Sequence, residues 1–342
     1  MDGSDVMDDL VLVTGGNGYV AGWCLVELLD RGYRVRATIR NGSHEARVRK
    51  AVASAPVSTD RLNFAVADLT NDGQWDTAMD GCSYVLHVAS PLGLSGTRTA
   101  DELVQPARDG TLRVLKAAVK AGVKRVVMTS SCAAVTPAKM GANTASDESL
   151  WADPIAQRDD HYRLSKTLAE RAAWDFMQTI EGTSFATVLP SAVFGPVLTM
   201  ESLGSVQLIQ RLIDGRMPLI PRIGLAIVDV RDVARAHFLA MTMPEAAGQR
   251  FIASGDFMWM KDVADALRAE LGARGVDVPR RQLPDFVVNI GAAFSPTLRP
   301  LKPLLGRSHR FSSAKIRRVL GWNSRPAGET VVDCAKSLLA IA

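Results

Sequence analysis

Short apolar runs alternate with segments of helical spacing along the first 190 residues of this chain. In Tyr19 to Asp30, Ala100 to Ala121 and Tyr162 to Ile180, apolar residues recur every three or four positions, as on one face of a helix. Strands that alternate with helices form a parallel sheet covered on both faces, so we predict an α/β fold with a Rossmann-type doubly wound parallel sheet. The runs expected to be strands are Leu10–Val13, Val35–Ile39, Phe64–Ala67, Tyr84–Ala89, Val123–Met128 and Phe185–Leu189.

Composition excludes several other classes of protein. Of the 342 residues, 47% are hydrophobic and 22% charged, which is typical of a globular chain. The formal net charge is only +4 and there is no run of basic residues, so we expect no nucleic-acid partner. No apolar stretch reaches the roughly 18 residues that cross a bilayer, and the start of the chain is acidic, so we expect a cytoplasmic protein without membrane attachment. The four cysteines form no C-x-x-C pair, and we expect no metal site.

A glycine-rich turn, TGGNGYVAG, joins the first predicted strand to the first predicted helix. Its G-x-x-G spacing leaves bare backbone beside a helix N-terminus, whose N–H groups and dipole favour a pyrophosphate. We interpret the turn as a dinucleotide-binding loop; the alternative is a tight turn without a ligand. The residues that we expect to contact the dinucleotide are Gly15, Gly18, Tyr19 and Val20.

The end of the second predicted strand indicates which dinucleotide is preferred. An Asp or Glu at this point accepts hydrogen bonds from the adenosine ribose and favours NAD. This strand instead ends with Arg40, a permanently charged group that suits a 2′-phosphate, and Arg47 follows seven residues later. We therefore predict NADPH/NADP+, with Asp68 and Leu69 near the adenine. A solvated arginine and a helix-capping aspartate are the alternatives.

A Y-x-x-x-K spacing places Tyr162 and Lys166 on one helix face, one turn apart. A fixed positive charge nearby lowers the pKa of a phenol from its usual value near 10. The pair is therefore predicted to be a proton donor and the group that tunes it. Thr129 to Ser131 end the fifth predicted strand, at the sheet edge where ligands bind, and Ser131 is the candidate for holding a substrate carbonyl.

Several motifs, in this order along the chain, resemble those of the extended short-chain dehydrogenases/reductases. They are TGGNGYVAG, HVASP at His87–Pro91, TSS at Thr129–Ser131, YRLSK at Tyr162–Lys166 and LPSAVFGP at Leu189–Pro196. Three more are similar to the dihydroflavonol reductase-like branch, which includes microbial aldehyde and ketone reductases. These are VRATIR at Val35–Arg40, ADLT at Ala67–Thr70 and VDVRDVARAH at Val228–His237.

The resemblance implies that Ser131, Tyr162 and Lys166 form the catalytic triad and that Lys166 also contacts the nicotinamide ribose. Thr136 stands where plant dihydroflavonol reductases have an asparagine that meets the flavonoid ring hydroxyls, which speaks against flavonoid specificity. Further cofactor contacts implied by the resemblance are Val88, Ala89, Ser90, Pro190 and Val193.

These features predict an NADPH-dependent carbonyl reductase, in which hydride passes from the nicotinamide to an aldehyde or ketone and Tyr162 donates the proton. A nucleotide-sugar epimerase or dehydratase with bound NAD has the same fold and triad, but Arg40 and the lack of a V-Y-G run after Ser131 speak against it. A non-catalytic dinucleotide sensor is a third reading, although such relatives commonly lose the tyrosine or lysine. We expect a small-molecule carbonyl substrate and a monomer or homodimer.

Prolines interrupt the pattern after Pro190, and strand signals become short. We predict a flexible tail at residues 1–9, an NADP-binding domain at 10–190, and a substrate-binding region at 191–226 and 242–342. Residues 227–241 show a strand followed by a helix and are expected to rejoin the main sheet, so that the two regions interleave.

Overall fold

The computed structural model of the chain describes residues 8–91, 100–138, 143–201, 203–272, 276–295 and 298–341. Most of the predicted tail, residues 1–7, lies outside these ranges. Among the described helices, none has the length and apolar character that a membrane crossing requires.

The strands and helices follow the alternation expected from the sequence, and α1 has the predicted bounds. The strands are β1 (Leu10–Val13), β2 (Arg34–Ile39), β3 (Leu62–Val66), β4 (Tyr84–His87), β5 (Arg125–Thr129), β6 (Asn143–Ser146), β7 (Ser184–Pro190), β8 (Ala192–Phe194), β9 (Ile220–Pro221), β10 (Gly224–Asp229), β11 (Gln249–Ala253), β12 (Phe257–Trp259), β13 (Gln282–Leu283) and β14 (Ser308–Phe311). The helices are α1 (Tyr19–Asp30), α2 (Glu45–Val52), α3 (Trp75–Met79), α4 (Ala100–Lys120), α5 (His161–Met177), α6 (Gln207–Ile213), α7 (Val230–Thr242), α8 (Met260–Leu271), α9 (Asp285–Gly291), α10 (Ala314–Leu320) and α11 (Ala327–Ile341).

The central sheet of the described residues has seven parallel strands in the order β11-β7-β5-β4-β1-β2-β3. This arrangement confirms the predicted Rossmann-type α/β class. The chain runs outward from β1 through β2 to β3 and then returns to the other side of β1 with β4. Such a reversal leaves a crevice at the carboxyl ends of the two central strands, where ligands of open α/β sheets bind.

Alternate residues of one strand pack into two different hydrophobic cores, as the period of two in a strand requires. In β1, Val11 and Val13 contribute to the core that also contains residues of α1 and α7. Leu10 and Leu12 contribute to the opposite core, together with residues of α3, α4 and α5. The centre of the sheet is thus buried on both faces, which explains why β1 is a continuous apolar run, LVLV.

The second half of the chain divides between the central sheet and a smaller layer. Strand β10 pairs with β8 and β12 in a separate three-stranded sheet, which shares a third core with α6, α8 and α11. Of the predicted 227–241 unit, β10 pairs within the smaller sheet and α7 packs on the central sheet, whose outer strand β11 comes from within residues 242–342. The residue pattern along the sequence indicates that a segment forms a strand. Which strands it pairs with depends on contacts between residues far apart in sequence.

Gly255 marks the place where the two sheets approach each other, just after β11. The N–H of Ile227 in β10 donates to the carbonyl of Asp256 at 2.9 Å. A Cβ added at Gly255 would lie 2.3 Å from the carbonyl oxygen of Ile227, closer than any real side chain lies to backbone. The contact between the central sheet and the smaller sheet therefore requires a glycine here.

We expect Gly255→Ala to lower the free energy of unfolding by about 1–3 kcal/mol, because backbone must shift to admit the methyl group. Urea unfolding followed by circular dichroism measures the change. Gly328→Ala is the matched control, since an added Cβ there meets no heavy atom within 4 Å. It lies in α11 and should leave stability unchanged or raise it by up to about 1 kcal/mol. Equal stability of the Gly255→Ala variant and the parent would contradict the assignment.

Candidate active site

The glycine turn lies at the carboxyl end of β1, beside the crevice. Gly15 has a φ of +71°, and its N–H donates to Thr38 Oγ1 at 2.9 Å, while the N–H of Gly16 donates to the Thr38 carbonyl at 2.8 Å. A Cβ on Gly15 would lie 3.0 Å from the Cβ of Ala89, and one on Gly16 would lie 2.8 Å from the Cβ of Ala37. Bare backbone is therefore required at both positions, and it lines the crevice.

Helix α1 begins directly after this turn. Gly18 is its N-cap and donates to the Gly15 carbonyl at 2.8 Å. The N–H groups of Tyr19 and Val20 fall in the first turn, where a helix provides no intrahelical acceptor, and the helix dipole favours an anion. The Tyr19 hydroxyl instead donates to the Gly195 carbonyl at 2.9 Å. Its side chain thus joins α1 to the segment after β8, and only its backbone is available to a phosphate.

Thr14 fixes the segment that follows β4. Its hydroxyl oxygen accepts from the N–H groups of Val88 and Ala89, at 3.0 and 2.9 Å. With both lone pairs used, the hydroxyl donates its own proton to Nδ1 of His87, 3.0 Å away. His87 is then neutral with its proton on Nε2, which faces Thr111 Oγ1 at 3.3 Å, and burial lowers its pKa to about 3. His87 is a structural group in this arrangement.

The residues predicted to bind the adenosine end lie after β2, after β3 and in α2. Arg40 directly follows β2, is exposed, and its charge helps to lower the pKa of Asp68. The main cause of that lowered pKa is the hydrogen bond from Thr70 Oγ1, at 2.7 Å, so Asp68 also caps its own loop. Arg47 Nη1 forms an ion pair with Glu201 at 2.8 Å. Arg40 and Asp68 thus lie near each other. Arg47 lines the cavity beside the glycine turn, where it is paired with Glu201.

The other predicted cofactor residues lie at or near the carboxyl ends of the central strands. Leu69 packs closely against α4, since a Cβ added at Gly110 of that helix would lie 2.8 Å from the Cβ of Leu69. Val88, Ala89 and Ser90 follow β4 and are half-buried, Pro190 ends β7, and Val193 lies in β8.

Ser191 lies between β7 and β8, in the segment Pro190 to Val193 whose backbone the family resemblance implies holds the cofactor's carboxamide, but no role was predicted for its side chain. Its Oγ is buried and has no hydrogen-bond partner among the described residues. Buried hydroxyls are almost always paired, so an orphaned one at the ligand-binding edge fits a site that a ligand completes. Together with the bare backbone at Gly15, it fits a bound dinucleotide. Its only sequence signal is its place next to Pro190.

The structure brings Ser131, Tyr162 and Lys166 to one place. Ser131 follows β5, where its Oγ accepts from the N–H of Ala133 at 3.1 Å, and hydrogen bonding by Ser131 acts to lower the pKa of Tyr162. Tyr162 and Lys166 lie on the first two turns of α5, which begins with Asp160 as its N-cap. The contact between Ser131 and Tyr162 therefore joins the sheet edge to the start of that helix.

The influences on the pKa of Tyr162 and of Lys166 differ from the expectation that Lys166 lowers the pKa of Tyr162. Although 42% of Tyr162 is exposed, desolvation is the largest influence on it and raises its pKa, while the hydrogen bond from Ser131 acts in the opposite direction. Lys166 is only 6% exposed, and burial lowers its pKa to about 8, with Glu170 opposing that shift. Ser131 is thus the leading group that lowers the pKa of Tyr162 here, and a tuning role for Lys166 stays a prediction.

A buried acid lies behind these residues and was not among the sequence candidates. Glu170 accepts hydrogen bonds from Ser130 Oγ at 2.6 Å, from Thr187 Oγ1 at 2.9 Å and from Arg250 Nε at 2.9 Å. The available signal was its spacing, because a residue four positions after Lys166 lies on the same helix face. Its partner Arg250 is eighty positions away in sequence and carries no such signal.

Comparison with known proteins gives similarities of sequence and of structure. Residues 11–254 match the model of the NAD dependent epimerase/dehydratase family. The chain is 33% identical to ketoreductase azaE of Aspergillus niger, covering 96% of this chain and 97% of that protein. It is 31% identical to a bifunctional dihydroflavonol 4-reductase/flavanone 4-reductase of Pyrus communis, covering 90% and 84%. Its fold is similar to that of yeast methylglyoxal/isovaleraldehyde reductase Gre2 complexed with NADPH, with a TM-score of 0.78, 27% identity, and coverage of 97% and 98%.

Two buried neutral histidines should make the fold sensitive to acid. His237 donates from Nδ1 to the Val233 carbonyl and accepts at Nε2 from Thr129 Oγ1, and burial lowers its pKa to about 4. Unfolded histidine has a pKa of about 6.5, so below that pH the unfolded chain binds protons that the folded chain does not. Stability is then full above pH 6.5 and falls as the pH drops toward 4, by up to about 1.4 kcal/mol per pH unit for each histidine.

Urea unfolding at pH 7, 6 and 5 measures how the free energy of unfolding changes with pH. The parent chain is compared with His237→Gln, and His87 is present in both. The variant should be less stable at pH 7 but lose less stability between pH 7 and pH 5. Parallel slopes for the two proteins would contradict the neutral, buried state of His237.

Proposed function

Because the chain belongs to the NAD-dependent epimerase/dehydratase family, within the extended short-chain dehydrogenases/reductases, we propose that it is an NADPH-dependent reductase of aldehydes or ketones. The likeness to reductases confirms the resemblance to the dihydroflavonol reductase-like branch and makes the chain an NAD(P)-dependent oxidoreductase. The proposal of carbonyl reduction is carried by the place of Ser131 at the end of β5, near enough to Tyr162 to lower its pKa, with Lys166 one helical turn after Tyr162 on α5.

The choice of NADPH rests on charge at the end of β2. No carboxylate stands there to accept hydrogen bonds from a ribose, and the exposed Arg40 guanidinium offers a fork for a 2′-phosphate. Arg47 would have to leave Glu201 before it reached a phosphate, which makes Arg40 the stronger candidate. The N–H groups at Gly18, Tyr19 and Val20, next to Gly15, would hold the pyrophosphate. The remaining proposed contacts are Asp68, Leu69, Val88, Ala89, Ser90, Pro190 and Val193.

Ser131, Tyr162 and Lys166 together provide the protein groups that reduction of a carbonyl requires. When bound, the reduced nicotinamide supplies the hydride. The Ser131 hydroxyl donates a hydrogen bond to the carbonyl oxygen and holds it beside the Tyr162 hydroxyl. Because the pKa of Tyr162 is raised, its hydroxyl is protonated at neutral pH and transfers that proton to the oxygen as charge develops there. The buried Lys166 ammonium stabilises the tyrosinate that remains.

Arg40→Gln tests the cofactor assignment. Losing a charge-assisted contact costs about 1.5–3 kcal/mol, so KM for NADPH should rise by about 10- to 100-fold while KM for NADH changes little. Arg34→Gln is the matched control, because Arg34 is an exposed arginine at the opposite end of the same strand. Initial rates at varied NADPH and NADH give both constants. Equal preference of the parent enzyme for the two nicotinamides would overturn the assignment.

Tyr162→Phe tests the proton donor, since it keeps the ring and removes the hydroxyl. We expect kcat to fall by about 100-fold or more, with NADPH binding retained in a fluorescence titration. The control is Tyr84→Phe, at the amino end of β4, away from the ligand-binding edge. The assay follows NADPH absorbance with isovaleraldehyde, methylglyoxal, ethyl acetoacetate and a dihydroflavonol.

Turnover of the Tyr162→Phe variant near the parent rate would remove Tyr162 from the mechanism. Purified protein that carries NAD and converts a nucleotide sugar without added cofactor would favour the epimerase alternative instead.

A further inference from the structure

The mechanism above makes no use of the buried ion pair between Glu170 and Arg250. We propose that Glu170 is a positioning residue, which keeps Lys166 in its charged form and holds Ser130, and with it the adjoining Ser131, in place. Arg250 in turn holds Glu170. The inference rests on the proposed function, because it concerns two residues of the proposed catalytic triad.

Both carboxylate oxygens of Glu170 are engaged, and the residue is fully buried. Oε2 accepts from Ser130 Oγ at 2.6 Å and from Arg250 Nη2 at 3.2 Å. Oε1 accepts from Arg250 Nε and Thr187 Oγ1, both at 2.9 Å, and from Trp174 Nε1 at 3.3 Å. These donors come from the end of β5, from β7, from β11 and from α5 itself. The carboxylate therefore fixes the helix that bears Tyr162 against the sheet edge that bears Ser131.

Arg250 is itself held rigidly, which gives Glu170 a fixed partner. It is 8% exposed, and Nη1 donates to the carbonyl oxygens of Glu148 and Leu150 at 2.8 and 3.0 Å. Its guanidinium lies 3.6 Å from the centre of the Trp151 ring. The planar fork of an arginine bonded to both carboxylate oxygens restricts rotation of the acid as well as neutralising it.

Glu170 lies near two buried cations. Arg250 forms an ion pair with it, and Lys166 lies one helical turn away on α5, so removing the acid would leave Arg250 without its ion-pair partner and Lys166 without a nearby opposite charge. Burial already lowers the pKa of Lys166 to about 8, and Glu170 acts against a further decrease. The charged or titratable groups that face Lys166, Glu170 or Arg250 from other elements are His87, Cys132, Glu148 and Lys315.

Stability alone does not explain why the ion pair between Glu170 and Arg250 lies next to the proposed catalytic residues. Replacing a buried pair by neutral residues of similar volume is often neutral or even stabilising, so stability alone is a weak reason to bury one. Here the acid contacts the residue next to Ser131 and influences Lys166 through its charge. The arrangement is suited to control the protonation and position of groups that act on the substrate.

The test compares the pH dependence of kcat/KM for NADPH-dependent reduction of isovaleraldehyde, or of methylglyoxal if that is reduced faster. Lys166 must be charged to act, and an opposite charge nearby shifts a pKa by about 1–3 units. In Glu170→Gln the alkaline limb of the pH profile of kcat/KM should therefore shift to lower pH by about one unit or more. Activity should recover toward the parent value at pH 6, where Lys166 is charged again.

Two further variants separate charge from packing. Arg250→Met disturbs the same hydrogen-bond network but leaves the Glu170 carboxylate near Lys166. The alkaline limb of its pH profile should therefore not shift to lower pH. Asp232→Asn removes a different buried carboxylate, which binds Arg325, and should leave the limb unchanged. If Glu170→Gln does not fold, the double variant Glu170→Gln/Arg250→Met replaces it, because it leaves no unpaired charge from the ion pair. The alkaline limb of the double variant's pH profile should also lie at a lower pH than that of the parent enzyme.

An equal loss of kcat/KM at every pH in Glu170→Gln, or a limb at the parent position in the double variant, would overturn the proposal. Failure of the proposed function looks different: the parent enzyme would then reduce none of the four carbonyl compounds with NADPH.

Discussion

The close approach of the turn after β1 to the segment after β4 is the constraint on which the site depends. Gly15 lies against Ala89 with no room for a side chain, and Thr14 bonds two N–H groups of the neighbouring segment through one hydroxyl. These contacts hold open the crevice created where the strand order reverses. Without them the N-terminus of α1 would not face the sheet edge that carries Ser131.

A second constraint joins the two halves of the chain. Strand β11 completes the central sheet and carries Arg250, which bonds Glu170 on α5. Residues beyond Pro190 therefore do more than surround a substrate, because one of them fixes the helix that bears Tyr162 and Lys166. Arg250 donates to Glu170, and the charge of Glu170 in turn favours the charged form of Lys166.

Local pattern was enough to predict much of this protein. The bounds of α1 and β1 agree with the apolar spacing of the sequence, and the Rossmann-type sheet follows from the alternation of elements. Tyr162 and Lys166 lie on one helix because they are four residues apart. Position in the sequence also placed Ser131 at the carboxyl edge of its strand, since a residue that ends a parallel strand must lie there.

Local sequence was therefore sufficient to predict the class of fold, the glycine turn and the helix that pairs Tyr162 with Lys166, because each depends on residues a few positions apart. Long-range contacts were needed to show that β10 lies outside the central sheet, that Arg47 pairs with Glu201 and that Arg250 bonds Glu170. Those contacts join residues far apart in sequence, and they form only when the folded chain brings the matching groups together. No short-range periodicity encodes them.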